Sequence, residues 1–99
     1  MKLVGALPSG AVARPIGNQL IRSGTSVGAN SRAACRGRSK REFIAKLGIV
    51  VEEADETCYW LELIIEGQLL AANLVEPLLK EANEITAIMA ASRKTAGDG

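Results

Sequence analysis

An antiparallel, up-down bundle of α-helices is the fold this sequence predicts, on three observations. Phe43, Val50, Thr57 and Ile64 recur every seven residues, as do Ile44, Val51, Cys58 and Ile65, and also Leu47, Ala54 and Leu61. Three parallel heptad columns mark one long helix with a broad apolar face, wide enough to pack on more than one neighbour. Apolar residues make up 47% of the 99-residue chain, yet Phe43, Tyr59 and Trp60 are its only aromatics. The core is therefore aliphatic, a palette that suits helix packing better than a sheet. No alternating strand pattern and no Asn-Gly hairpin occurs. The length allows one domain, residues 1–99.

Each element has its own signal. Residues 1–14 contain Gly5, Pro8 and Gly10 and keep no period, so they read as a frayed start. Pro15 suits a first helical turn, where its missing N–H costs least, and a helix is expected over about 15–36. The middle of this helix, SGTSVGANS (23–31), is a poor helix former, so tertiary contact has to hold it. Gly37 breaks the pattern, and Ser39 with Glu42 forms an S-x-x-E capping box for a helix over about 40–69. Asn73 with Glu76 offers a second box, with Pro77 tolerated in the first turn. Leu78, Ala82, Ile85 and Met89 then continue an amphipathic helix over about 74–93. The glycine-rich residues 94–99 read as a flexible tail.

Charge is divided along the chain. Residues 1–50 carry +8 and residues 51–99 carry −7, within a net charge of +1. The segment RAACRGRSKR (32–41) concentrates Arg32, Arg36, Arg38, Lys40 and Arg41. On a continuous helix Arg22, Arg32 and Arg36 fall within an arc of about 80°, and the cations of the turn extend that stripe. Cations at the start of a long helix oppose its dipole, which favours an outside polyanion as their partner. The competing account pairs them with Glu52, Glu53 or Glu56 of a neighbouring helix.

The composition gives catalysis little to work with. There is no histidine, and Cys35 and Cys58 lack the partners a zinc site requires. The two thiols read as small hydrophobes. GTSVGANSR (24–32) lacks the Gly-Lys-Ser/Thr ending of a phosphate loop and follows no strand. The acids Glu52, Glu53, Asp55 and Glu56 fit a solvated or ion-paired helix face. The expectation is a protein that is not an enzyme, with no cofactor and no metal. MKLVGALPSG is too short in its apolar run for a signal peptide, and no stretch of about 18 apolar residues occurs. A cytoplasmic location, with no membrane contact, is expected.

The motifs QLIRSGTSVGAN (19–30), SKREFIAKL (39–47) and EADETCYWLEL (53–63) together resemble a known family. It comprises small four-helix bundle proteins encoded by intervening sequences of bacterial 23S ribosomal RNA genes. The accessory variability determinant of diversity-generating retroelements is related to it. The resemblance spans about residues 14–95 and implies an up-down bundle forming homo-oligomers, commonly pentameric rings, with nucleic-acid binding as the expected role. It also implies a long first helix, of which MKLVGALP retains only the last turn or two. Loss of that helix from a bundle exposes an aliphatic strip.

Two functional expectations follow. The first is a non-catalytic oligomer that binds structured RNA or duplex DNA by phosphate contacts through Arg22, Arg32, Arg36, Arg38, Lys40 and Arg41, accessory to an RNA or a reverse transcriptase. The second is an interaction scaffold whose basic edge docks an acidic protein partner. Tyr59 and Trp60, with Ile44, Val51 and Ile65, are the candidate subunit interface.

Overall fold

The computed structural model describes residues 2–98. Four helices follow in order: α1 (Lys2–Ala6), α2 (Ala13–Cys35), α3 (Lys40–Glu66) and α4 (Ala72–Asp98). The short turns at 36–39 and 67–71 make consecutive helices antiparallel, and α3 lies between α2 and α4, packed along both. α1 rests on the first turns of α2, where Val4 and Leu7 close on Gly17. The molecule is a rod of about 46 × 19 × 17 Å.

The heptad columns of α3 sort by depth as their geometry requires. Leu47, Ala54 and Leu61 are all buried, and Val50, Cys58 and Ile64 join them. The flanking Ile44, Val51 and Ile65 are half-buried. Leu20 of α2, with Val75 and Ala82 of α4, completes the core. The polar, glycine-rich middle of α2 does remain helical, and its hydroxyls show how. Ser23 is fully buried, with its Oγ 2.9 Å from Thr57 Oγ1 of α3. Asn30 Nδ2 donates to the Ser26 carbonyl at 2.9 Å, and Thr25 Oγ1 to the Ile21 carbonyl at 2.7 Å. Side chains this small let α2 and α3 approach closely while every buried side-chain polar atom among the described residues keeps a partner.

Helix ends follow expectation at one turn and depart from it at the others. Ser39 caps α3: its backbone is extended and its Oγ accepts from the Glu42 N–H at 3.1 Å. Glu42 returns the contact one residue early, accepting from the Arg38 N–H at 3.3 Å. α3 ends at Glu66 and not at 69, because a Schellman motif closes it. The Leu69 N–H reaches the Ile64 carbonyl and the Gln68 N–H the Ile65 carbonyl, both at 3.0 Å, with Gln68 in the left-handed region at φ 54°. Asn73 caps nothing. α4 has already begun at Ala72, which places Pro77 inside the helix beyond its first turn. The expected flexible tail is also corrected: α4 runs on through Lys94 and Thr95 to Asp98, with Ala96 still half-buried. Gly99 lies outside the described residues.

Candidate nucleic-acid interface

The turn between α2 and α3 is tight because Gly37 has no side chain. A Cβ there would sit 3.2 Å from the Ala34 carbonyl oxygen and 3.4 Å from the Phe43 nitrogen. Arg36 ends α2, its N–H bonded back to the Ala33 carbonyl at 3.2 Å, and Arg38 and Ser39 lead directly into α3. Arg32, Arg36, Arg38, Lys40 and Arg41 are all exposed around this turn. None of them makes a salt bridge among the described residues.

Arg22 stands apart from these five. It lies 14 residues before Arg36, roughly 21 Å along the helix at 1.5 Å per residue. Its guanidinium is already engaged: Nη1 meets Glu53 Oε2 at 3.1 Å, Nη2 bonds Glu56 Oε1, and Nε donates to Gln19 Oε1 at 2.9 Å. Trp60 Nε1 donates to the same Glu56 oxygen at 3.1 Å. Bonding to Arg22, then to Trp60, holds the Glu56 carboxyl below its ordinary range, and Glu56 first of all raises Arg22 above its own. The ion-pair account therefore holds for Arg22 and not for the other five.

Up-down topology adds cations that the chain order hides. The start of α3 and the end of α4 share the end of the rod that carries the 36–39 turn. Arg93 of α4 lies against Gly48 of α3, its Cζ 3.6 Å from where a Cβ would stand. Lys46 is half-buried on α3 one turn beyond Lys40 and Arg41, and Lys94 is exposed beside Arg93. Sequence reasoning missed Arg93 and Lys94 because their closeness to the turn depends on how α4 is aligned on α3; Lys46 was legible from its place on α3 and was passed over. The acids Glu66 and Glu76 flank the opposite turn. The rod is electrically polar along its length.

The candidate subunit contacts divide. Tyr59 is 53% exposed and meets Trp60 edge-on, with ring centroids 5.0 Å apart. Trp60 and Ile65 lean on the core cluster, and Ile44 and Val51 are half-buried. Cys35 is exposed and Cys58 buried, both free, and burial pushes the Cys58 thiol up. Among the described residues no group of acids and cysteines could hold a metal ion, and no helix is long and apolar enough to cross a membrane.

Fold and surface together define an all-α up-down bundle with one basic end. The chain matches the family described as "23S rRNA-intervening sequence protein" over residues 3–91, and it belongs to that family. It is similar to a crystal structure, determined at 1.70 Å, of a protein with unknown function from the S23 ribosomal protein family of Bacteroides thetaiotaomicron VPI-5482. The two are 39% identical and superpose with a TM-score of 0.75, over 80% of this chain and 70% of that one. None of the curated protein sequences matches the chain.

Proposed function

We propose that this protein is a non-catalytic, cytoplasmic homo-oligomer that binds structured RNA or duplex DNA through its basic end. The observation that carries the reading is the set of five exposed cations, Arg32, Arg36, Arg38, Lys40 and Arg41, without carboxylate partners among the described residues on a chain that pairs Arg22 twice. Guanidinium forks match phosphate oxygens, and such contacts fix position while carrying little sequence information. A ring of subunits, pentameric as in the proteins it resembles, would repeat the patch and turn weak contacts into avidity.

The test is fluorescence anisotropy of a labelled RNA hairpin and a DNA duplex, from about 50 to 200 mM salt. Wild type should bind with an affinity that falls steeply with salt, and the triple substitution Arg32→Glu, Arg36→Glu, Arg38→Glu should abolish it. Absence of binding at the lowest salt by folded protein would sink the reading and leave the basic end to an acidic protein partner.

A further inference from the structure

Arg93 is held at the basic end by shape and not by charge. From the point where a Cβ of Gly48 would stand, its Cζ lies 3.6 Å away, its Nε 3.7 Å and its Nη1 3.8 Å. An edge-on approach would bring the nitrogens nearer than the carbon between them. Here the carbon is nearest, so the guanidinium of α4 lies with a flat face on α3, over a position that carries no side chain. Among the described residues no carboxylate pairs with Arg93; Glu52, one turn further along α3, forms no salt bridge with it. Arg93 is nonetheless exposed. One face is covered, and the N–H edge stays free to donate.

The same column of α3 carries Arg41, seven residues before Gly48 and about 10.5 Å back along the axis at 1.5 Å per residue. Two arginines from different helices therefore serve one side of the basic end, with Lys94 exposed beside the second. A guanidinium stacked on a helix has lost much of its freedom before any ligand arrives, and its planar fork is already aimed. Such a contact costs little further ordering on binding. That advantage is kept only by a ligand whose phosphates are fixed relative to one another. A double helix fixes them. A flexible single strand has to be ordered to meet Arg41 and Arg93 together, and the cost of ordering offsets the gain.

We propose that Arg93, seated on Gly48, is a specificity-determining phosphate contact that makes the basic end select double-helical nucleic acid over a single strand of the same sequence. This rests on the phosphate-binding reading and adds a second helix to it. A freely moving cation at position 93 would raise affinity for both ligands alike, through charge. A seated fork raises it for the double helix, through charge and geometry together.

The experiment compares a labelled DNA duplex, an RNA hairpin and one strand of that duplex alone, by fluorescence anisotropy from about 50 to 200 mM salt. Wild type should bind the double helices at least about tenfold more tightly than the single strand, and the tighter of the two identifies the ligand's sugar. Arg93→Lys keeps the charge without the planar fork. It should leave the salt slope on the duplex unchanged and cut the preference for the duplex at least about threefold. Gly48→Leu keeps Arg93 and fills its seat; it should cut the preference as much, with no further loss in the double variant. Circular dichroism and thermal unfolding confirm that each variant folds. If Arg93 only fastens α4 to α3, Arg93→Lys would lower the Tm and leave the preference untouched. That result would overturn the proposal, as would equal binding of duplex and single strand by wild type, and either would leave phosphate binding standing. Absence of binding to all three ligands by folded wild type would sink the phosphate-binding reading itself, and this proposal with it.

Discussion

Ser23 on α2 and Thr57 on α3 bring their hydroxyl oxygens to 2.9 Å in the buried contact between the two helices. Each hydroxyl has one proton. Thr57 Oγ1 donates, with Ser23 Oγ at 2.9 Å and the Glu53 carbonyl at 2.8 Å as its acceptors, and Ser23 Oγ donates to the Leu20 carbonyl at 3.4 Å. Ser23 is fully buried. Ser23→Ala should cost about 1 kcal/mol, because the Thr57 oxygen keeps a donor role of its own. Ser23→Leu should cost more, about 1–3 kcal/mol, through overpacking. Urea unfolding monitored by circular dichroism measures both; equal costs would show that the hydroxyl pair and the close approach are not separate contributions.

Arg22 and Glu56 set a pH dependence whose sign is fixed. The pairing holds the Glu56 carboxyl below its ordinary 4.5, so folding favours the ionised form. The resulting stability is present above about pH 4.5 and is lost as pH falls through the lower folded value. Glu56→Gln should lower the Tm at neutral pH and leave it less sensitive to acid, the two proteins converging at the acid end. Both partners are partly exposed, so added salt should shrink the difference. A Tm gap that stayed constant from neutral to acid pH would show the effect to be packing around Trp60.

Gln68 holds a left-handed backbone at φ 54° to close the Schellman motif after α3. A side chain there costs about 1–2 kcal/mol, and glycine removes that cost while adding some unfolded-state entropy. Gln68→Gly should therefore stabilise by roughly 0.5–1 kcal/mol, read as a rise in the urea midpoint. Gly67→Ala should do the reverse, since a Cβ at Gly67 would lie 3.1 Å from the Leu63 carbonyl oxygen.

The neighbouring Gly67 shows how far the sequence could be read at such points. Gly67 marks the end of α3, but which residue takes the left-handed conformation depends on where the ladder stops, and Gln68 gives no sign of it. The heptad columns of α3 were legible because burial follows period, and Ser39 because its capping partner lies three residues away. Asn73 carried the same signature and failed, since packing of Val75 on the core draws the start of α4 back to Ala72. The charges divide in the same manner. A helical wheel placed Arg22 beside Arg32 and Arg36 in azimuth, yet it is silent on which neighbouring helix faces Arg22, and Glu53 with Glu56 decided its role. Arg93 is 52 positions from Arg41, and only the alignment of α4 on α3 brings it to the basic end.

That division among the arginines gives the phosphate-binding proposal its sharpest test. Arg22 is bonded to two carboxylates and gains little by exchanging them for a phosphate, so Arg22→Gln should leave nucleic-acid affinity and its salt dependence unchanged. Arg36 has no such partner. Arg36→Gln should flatten the log–log salt slope on duplex DNA by about 0.9, the equivalent of one phosphate. Arg93 extends the same surface, and Arg93→Gln should flatten it by a similar step if the bound phosphates reach α4. Gly48→Ala serves as the control beneath it: the added Cβ meets Arg93 at an ordinary 3.6 Å and improves helix propensity by roughly 0.5–1 kcal/mol. It should raise stability and leave binding alone. Loss of binding in Arg22→Gln, with Arg36→Gln unaffected, would move the nucleic-acid surface from the end of the rod to the α2–α3 face that carries Tyr59 and Trp60.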